Sequence, residues 1–247
     1  MEIIQIIAIT LLIIFAVGVV VLIVSTFHKI DRETKEGRKR HNQIKSTHVF
    51  GQERNDYYLL NDQEKHGVRG ENAVEYMLEM FIDDYHCMIF HNLTIKDFKG
   101  NTTEIDHIFV CRGGVFVIET KSHKGEIYGN INDDQWYQQR PYPYESKSFK
   151  NPVIQNENHI KFLKRMFSNN PPAMKSLIIF PCADRICTDY DYVLSLRDAH
   201  DYLLDMIKTN KYSDEYVDRI GKQLKEIQDK YGVSSLEHKK HINERYH

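Results

Sequence analysis

One segment constrains the fold of this chain more than any other: residues 104–121, EIDHIFVCRGGVFVIETK. It contains two runs rich in Val, Ile and Phe on either side of Arg112-Gly113-Gly114. Because both runs are apolar on both faces, they predict two central strands of a sheet that helices cover on each side. The segment therefore predicts an α/β fold, yet it also contains three charged side chains: Asp106, Glu119 and Lys121.

The positions of these charges within the two strands predict a shared site. A two-residue loop at Gly113-Gly114 would pair Asp106 with Lys121 and Ile108 with Glu119, and a four-residue loop would preserve that register. Side chains alternate between the faces of a strand, so the three charged groups would emerge on one face. The Cβ atoms of the two acids would then lie about 7–8 Å apart. A three-residue loop would instead place the two acids on opposite faces.

Two interpretations of this arrangement compete. Asp106 and Glu119 at that separation would converge on one hard cation, with Lys121 beside them. Alternatively, Asp106 and Lys121 would form an ion pair where the sheet meets water, since structural ion pairs are common. The hairpin alone leaves both interpretations open.

Glu71 lies on the core-facing side of the first predicted helix. That helix is expected to begin after a break at residues 67–70, and Glu71 precedes its apolar stripe by three residues, so the carboxylate would point at the sheet. An acid that merely complements the helix dipole is the competing interpretation. The stripe consists of Val74, Met77, Leu78, Phe81 and Ile82.

Gln155 and His159 lie on the core-facing side of a second predicted helix, which Asn151 would cap with Pro152 at its first position. Polar groups on such a face need partners, which a ligand-bound active site would supply. A purely structural role is the competing interpretation for His159. Three acids, a lysine and a glutamine that converge from separate elements together favour a metal site. The helix stripe consists of Phe162, Leu163, Met166 and Phe167.

The N-terminal segment predicts a membrane anchor and hence a lipid-bilayer partner. Residues 3–24 carry no charge and are about as long as a helix that crosses a bilayer. A cleaved signal peptide is the competing interpretation, but Glu2 replaces its basic region and Val24-Ser25-Thr26 is a poor cleavage site. The basic excess that follows predicts a single-pass protein of the cell membrane, with its N-terminus outside and its domain in the cytoplasm.

The periodicity of the remaining chain predicts its strands and helices, and these divide the whole chain into five segments. Strands are expected near residues 86–95, 105–111, 115–121, 126–131 and in KSLIIF, with closing helices over 198–209 and 213–230. The predicted segments are a transmembrane anchor (1–27), a charged juxtamembrane stalk (28–66), the main α/β domain (67–180), a helical completion of that domain (181–231) and a polar tail (232–247).

Composition narrows the classes of function. A formal net charge of −2 argues only weakly against a nucleic-acid partner, because a near-neutral chain can carry a basic groove. The four cysteines lack the paired spacing of a zinc site and fit a reduced, cytosolic setting. The sequence contains no G-x-S-x-G and no cysteine in a nucleophile setting, which excludes a serine or cysteine hydrolase.

The chain resembles the nuclease-related domain (NERD) family in three blocks: GVRGE, IDHIFV…GVFVIETK…G and NPVIQN…H. The resemblance covers roughly residues 67–168, with the blocks in order. Because that family is placed within the PD-(D/E)XK phosphodiesterase superfamily, the resemblance implies a restriction-endonuclease-like core, in which helices flank a central mixed sheet.

The resemblance also implies specific site residues. The superfamily's acid falls on Asp106, preceded by Ile105 where the superfamily pattern has proline. The E-x-K element falls on Glu119-Thr120-Lys121. Glu71 fits the helical acid, and Gln155 fits the glutamine of the following helix.

The activity implied by the resemblance is metal-dependent cleavage of DNA or RNA. The three acids and the Thr120 carbonyl would hold Mg²⁺ or Mn²⁺, which would stabilise charge on the scissile phosphate and lower the pKa of a bound water. Lys121 would orient that water and neutralise the transition state. Gln155 would position water or substrate.

Two predictions concern substrate contacts and the class of function. Trp136 and Arg140, with Tyr137, would stack on bases or bind phosphates, although packing is the competing interpretation for Trp136. A catalytically inactive, membrane-tethered module that binds nucleic acid or protein is the alternative to an enzyme. The intact E-x-K element favours the enzyme, and the near-neutral charge favours the binding module.

Overall fold

A computed structural model describes residues 62–141 and 144–234 of the chain. The predicted anchor, nearly all of the predicted stalk and most of the predicted tail lie outside the described residues. The elements are α1 (Asp62–Asp84), β1 (Met88–Lys96), β2 (Thr102–Cys111), β3 (Gly114–Thr120), β4 (Gly125–Tyr128), β5 (Gln135–Pro141), β6 (Tyr144–Lys150), α2 (Pro152–Met166), β7 (Met174–Phe180), β8 (Ala183–Cys187), β9 (Val193–Ser195), α3 (Leu196–Lys208) and α4 (Asp214–Tyr231).

The predicted α/β fold with a mixed sheet between helices is confirmed. Strands β1, β2, β3, β7 and β9 form a five-stranded sheet in that order, antiparallel from β1 to β3 and parallel from β3 to β9. Every residue of β3 is buried, as the two-faced apolar pattern predicted. Helices α2 and α4 pack against one apolar cluster of this sheet. This arrangement fits a nuclease-like core.

A second sheet has four strands in the order β6-β5-β4-β8. Its first three strands follow β3 directly in the chain, and β8 follows β7. Only β4 was predicted, because β5 and β6 are short strands rich in polar residues and lack a long apolar run. The prediction of residues 181–231 as helical is wrong in its first part, where β8 and β9 precede the two helices. Helices α3 and α4 lie within one or two residues of their predicted bounds.

The predicted break at residues 67–70 is also wrong, because α1 runs through it without interruption. Gly70 is required by packing instead: a Cβ there would lie 1.9 Å from Ser122 Oγ, so only glycine lets the helix approach the end of β3 so closely. The Gly67 carbonyl accepts a hydrogen bond of 3.2 Å from the same hydroxyl. The close contact places the following residue, Glu71, beside the sheet. None of the helices in the described part of the chain is long and apolar enough to span a bilayer.

The predicted hairpin forms, but its register differs by two residues. Cys111 pairs with Gly114 and Ile108 pairs with Val117, so Arg112-Gly113 forms the turn instead of Gly113-Gly114. Tertiary contacts explain the shift: the Arg112 guanidinium donates two hydrogen bonds to Asp214, at 2.7 and 2.6 Å. Asp214 lies 102 residues further along the chain, so the hairpin sequence alone could not predict this contact.

Asn151 ties the start of α2 to the loop before β5, as well as capping the helix as predicted. Its Oδ1 accepts from the Val153 and Ile154 amides, and its Nδ2 donates to the carbonyls of Asn130, Ile131 and Asp133. The residue is only 2% exposed, so its side-chain amide is held almost entirely by these backbone groups.

Replacing Asn151 by alanine is therefore expected to lower the free energy of unfolding by about 2–4 kcal/mol, because the substitution removes the helix cap and the hydrogen bonds to three carbonyls. Urea denaturation of both proteins would measure this loss. Ser213→Ala is the matched control, since Ser213 occupies the N-cap of α4 without a side-chain capping bond. Equal losses in the two variants would contradict the role assigned to Asn151.

Candidate active site

Glu119 is the centre of the candidate site. It lies near the end of β3 and is 2% exposed. Its Oε1 accepts two hydrogen bonds of 2.6 Å, one from Lys121 Nζ and one from Gln155 Nε2, and its Oε2 lies 3.4 Å from His159 Nε2. The sequence predicts the contacts of Lys121 and Gln155 only as a general convergence, and its pattern leaves His159 open between a structural and a functional role.

His159 connects Glu119 to the beginning of β2. Its Nδ1 lies 2.6 Å from Thr103 Oγ1, and its Nε2 lies 3.4 Å from Gln155 Nε2 as well as from Glu119. Two side chains of α2, one turn apart, therefore hold the carboxylate in place. A buried acid that is bonded on both oxygens has a fixed orientation, which a catalytic or ligand-binding group requires.

Asp106 lies where β2 and β3 separate. The last ladder pair joins His107 and Ile118, and beyond it Asp106 Oδ2 accepts a hydrogen bond of 2.8 Å from the Thr120 amide. The predicted pairing of Asp106 with Lys121 is wrong, because the two-residue change in register displaces it and Lys121 bonds Glu119 instead. Asp106 nevertheless interacts electrostatically with Glu119 and Glu71.

Four carboxyl groups meet at this site, one more than the sequence predicted. Burial, followed by the charges of Glu104 and Glu119, raises the pKa of Glu71. Burial, followed by Glu119 and Glu71, raises the pKa of Asp106 well above its usual range. Glu104 was missed, although its place two residues before Asp106 in one strand is the alternation that brings side chains to a common face.

Glu119 and Lys121 carry the opposite shifts and form the ionised pair of the site. Burial alone would raise the pKa of Glu119, but the His159 hydrogen bond and the Lys121 charge lower it below its usual value. Burial alone would lower the pKa of Lys121, but Glu119 and then Asp106 and Glu71 raise it. One ammonium group therefore faces the carboxyl groups of Glu119, Asp106 and Glu71, and the site has an excess of negative charge whenever these acids ionise.

The comparisons with known proteins agree with this geometry. Residues 66–181 match the family model of NERD, the nuclease-related domain. The match contains every predicted site residue and ends before β8. The chain is similar to an uncharacterized protein of Bacillus anthracis, with 36% identity over 115 residues, 47% of this chain and 53% of that protein. The chain thus spans about half the length of this curated relative, and no solved structure matches it significantly.

The carboxylate oxygens in the segment that matches the NERD model suit a hard divalent cation. Glu71, Asp106, Glu119 and Glu104 supply only oxygen ligands, which Mg²⁺ and Mn²⁺ prefer. The raised pKa values of Asp106 and Glu71 show the charge excess that a cation would offset. Thr120 is 7% exposed and contributes its amide to Asp106, whereas the ligand role of its carbonyl stays a prediction.

A second group with metal-ligand character lies further along α1. Among the residues that the structure describes, Glu75, Glu79 and His91 have ligand atoms within 4.8 Å of one another, a spacing that the four-carboxylate site does not meet. His91 Nδ1 lies 2.7 Å from Nδ1 of the fully buried His107, whose pKa burial lowers to about 3. His107 is consequently neutral at physiological pH and shares one proton with His91.

The structure separates the two predicted substrate-binding residues. Trp136 is 0% exposed, donates to the Asn130 carbonyl at 2.9 Å and packs on Phe180, so its predicted role in stacking on bases is wrong. Trp136 is buried because it packs in the apolar cluster on the inner side of the second sheet. Its neighbour Tyr137 is 52% exposed. Arg140 pairs with Glu145 at 3.2 Å, and its substrate role stays a prediction.

Arg140 also affects the pKa of His123, which lies just after β3. Burial first, then the charges of Lys121 and Arg140, lower the pKa of His123 to about 4. Arg140 therefore lies within electrostatic reach of the residues that follow the E-x-K element, although it belongs to the second sheet. Because β5, which carries Arg140, was not predicted, the proximity of Arg140 to His123 could not be inferred from the sequence.

Proposed function

We propose that this protein is a metal-dependent phosphodiesterase of the PD-(D/E)XK type that cleaves nucleic acid. One observation carries the proposal: Glu119 is buried and bonded to Lys121 and Gln155 beside the carboxyl groups of Asp106 and Glu71. The match to the nuclease-related domain supports a nuclease-like function for the same segment.

The proposed chemistry assigns each side chain a task. Glu71, Asp106 and Glu119 hold Mg²⁺ or Mn²⁺, and the bound cation would supply an activated water and stabilise charge on the phosphate. Lys121 orients the attacking water and donates to the negative charge that develops on the phosphate oxygens. Gln155 fixes Glu119 through its amide nitrogen, which donates to Oε1.

The fixed positions of these groups supply much of the expected rate enhancement. Lys121 and Gln155 are held by the same Glu119 oxygen, so neither must be ordered when substrate binds. Substrate must compete for Lys121, since its Nζ already lies 2.6 Å from Glu119. The side chain is 23% exposed, which leaves the ammonium group accessible from solvent.

A catalytically inactive binding module is the second candidate, and one observation favours it. Lys121 and Gln155 both donate to Glu119 Oε1, so side chains of the protein itself satisfy this oxygen. Such a module would still bind nucleic acid or protein through the nuclease-like fold. The two candidates differ in whether divalent metal binds and whether phosphodiester bonds are broken.

Cleavage of a substrate panel tests the proposal. Full-length protein in detergent solution would be incubated with linear and circular DNA and with RNA, in Mg²⁺, Mn²⁺ or EDTA. We expect cleavage only with metal, and loss of circular substrate would identify an endonuclease. Metal binding without cleavage of any substrate would support the binding module instead.

We further propose that residues 3–24 anchor the protein in the cell membrane with the domain in the cytoplasm. A reporter that functions only in the cytoplasm, fused after His247, is then expected to be active, and one that functions only outside is expected to be inactive. Deletion of residues 3–24 should move the protein from the membrane to the soluble fraction. Activity of the external reporter alone would contradict the proposed orientation.

A further inference from the structure

A cavity of about 490 Å³ opens beside the candidate site. The start of β2 forms one wall and the outer face of α2 forms the other. Gln155 and His159 line this cavity and also contact Glu119, so two residues of its lining connect the cavity to the carboxylate cluster. A substrate that reaches Glu119 from this side must lie along α2.

The far end of the cavity carries two positive charges. Lys161 and Arg165 lie one helical turn apart on α2, and both are exposed. Within the described part of the chain, Lys161 makes no ion pair. The Arg165 guanidinium lies 5.1 Å from the centre of the Phe162 ring. Hydrogen bonds from Asn101 and Lys99 lower the pKa of Asp97, and the nearby charge of Arg165 adds to this effect.

The spacing along α2 suits a nucleic-acid backbone. Residues 155 to 165 span about 15 Å at 1.5 Å per residue. Phosphates of one strand follow one another at about 3.4 Å along a duplex axis, so this length corresponds to roughly four backbone steps. The polar lining, with Asn158 and Thr103 between the two ends, offers hydrogen bonds to phosphate and sugar oxygens rather than a stacking surface for bases.

We propose that this cavity binds the phosphodiester backbone that flanks the cleaved bond, with Lys161 and Arg165 as its phosphate contacts. The inference rests on the proposed function, since it assigns the substrate class of the same site. Two cationic contacts to phosphate predict binding that depends on salt and little on base sequence. Asn158 lies between the cations and Gln155 and completes the path.

Binding measurements separate this inference from the question of catalysis. The affinity of full-length protein for a fluorescent single-stranded oligonucleotide would be measured in EDTA, where no cleavage is expected, over a range of salt concentrations. The test protein is Lys161→Ala/Arg165→Ala. The matched control is Lys164→Ala/Lys222→Ala, which removes the same charge from positions outside the cavity.

We expect the test variant to bind at least about tenfold more weakly and to lose about 1.4–1.8 from its salt slope, from the usual ~0.7–0.9 for each phosphate contact. The control should change by less than about twofold. Equal losses in both variants would overturn the inference, as would an oligoglutamate peptide that competes as well as the oligonucleotide. Selective loss of binding in a protein that cleaves nothing would support the inference while the proposed catalysis fails.

Discussion

Replacing Asp106 by asparagine is expected to raise the melting temperature of the metal-free protein and, in the same variant, to abolish its response to Mg²⁺. The buried carboxyl of Asp106 faces Glu119 and Glu71, and these neighbours raise its pKa well above the usual range. An amide removes that repulsion and still accepts the hydrogen bond from the Thr120 amide. We therefore expect the variant to melt at a higher temperature than wild type at neutral pH.

The pH dependence of this effect follows from the direction of the shift. The raised pKa values of Asp106 and Glu71 mean that the folded state binds extra protons, so their contribution to stability is full below the ordinary carboxyl pKa. That contribution is lost as the pH rises through the folded-state pKa. Glu119, with a lowered pKa, behaves oppositely and loses its contribution as the pH falls. In metal-free wild type, the advantage of Asp106→Asn should therefore grow with pH.

Mg²⁺ should reverse the order of stability of wild type and Asp106→Asn. Because ligands must deprotonate to bind a cation, Mg²⁺ should raise the melting temperature of wild type more at higher pH and should not affect Asp106→Asn. Melting in EDTA and in Mg²⁺ between pH 5 and 8 would measure both effects. Asp184→Asn, an exposed acid on β8, is the matched control. A variant less stable than wild type in EDTA would contradict the electrostatic account.

Replacing Lys121 by methionine should reduce cleavage by at least about a hundredfold, the typical effect of losing one donor to transition-state charge. It should also destabilise the metal-free protein, because Glu119 loses its cationic partner while remaining buried. We expect about 1–3 kcal/mol, less than the ~3–5 kcal/mol of a fully buried pair, since Lys121 is partly exposed and two other groups still bond Glu119.

Urea denaturation with and without Mg²⁺ would separate the two effects of Lys121→Met. The added metal should recover part of the lost stability, because a cation replaces the missing charge. Lys147→Met is the matched control: its amine lies 2.7 Å from Glu145 on the surface, where an ion pair contributes little. A large loss of stability without any loss of cleavage would show that Lys121 serves only the fold.

The sequence was most informative where one local pattern decided the structure. The apolar runs around residue 112 can only be buried strands, and Asn151-Pro152 can only begin a helix, so both predictions were confirmed. The NERD motifs then predicted which polar groups would meet. Glu119, Lys121 and Gln155 do meet, although Lys121 bonds Glu119 and not Asp106, the partner predicted for it.

The sequence failed where distant contacts decided the outcome. The hairpin register depends on Asp214, a hundred residues away from Arg112, and no local turn preference reveals it. Trp136 is buried by a sheet whose polar strands carry no strong periodicity. Glu104 was overlooked because the superfamily pattern draws attention to Asp106 alone, whereas the charge cluster includes both residues.

The central claim is that the carboxyl groups around Glu119 bind a divalent cation that supports phosphodiester cleavage. Cleavage by wild type and by Asp106→Asn, purified identically and titrated with Mg²⁺ from EDTA upward, tests it most directly. We predict cleavage that rises with Mg²⁺ in wild type and stays at the EDTA level in the variant, which remains folded and melts at a higher temperature. Equal cleavage by the two proteins, or cleavage by wild type in EDTA, would contradict the claim.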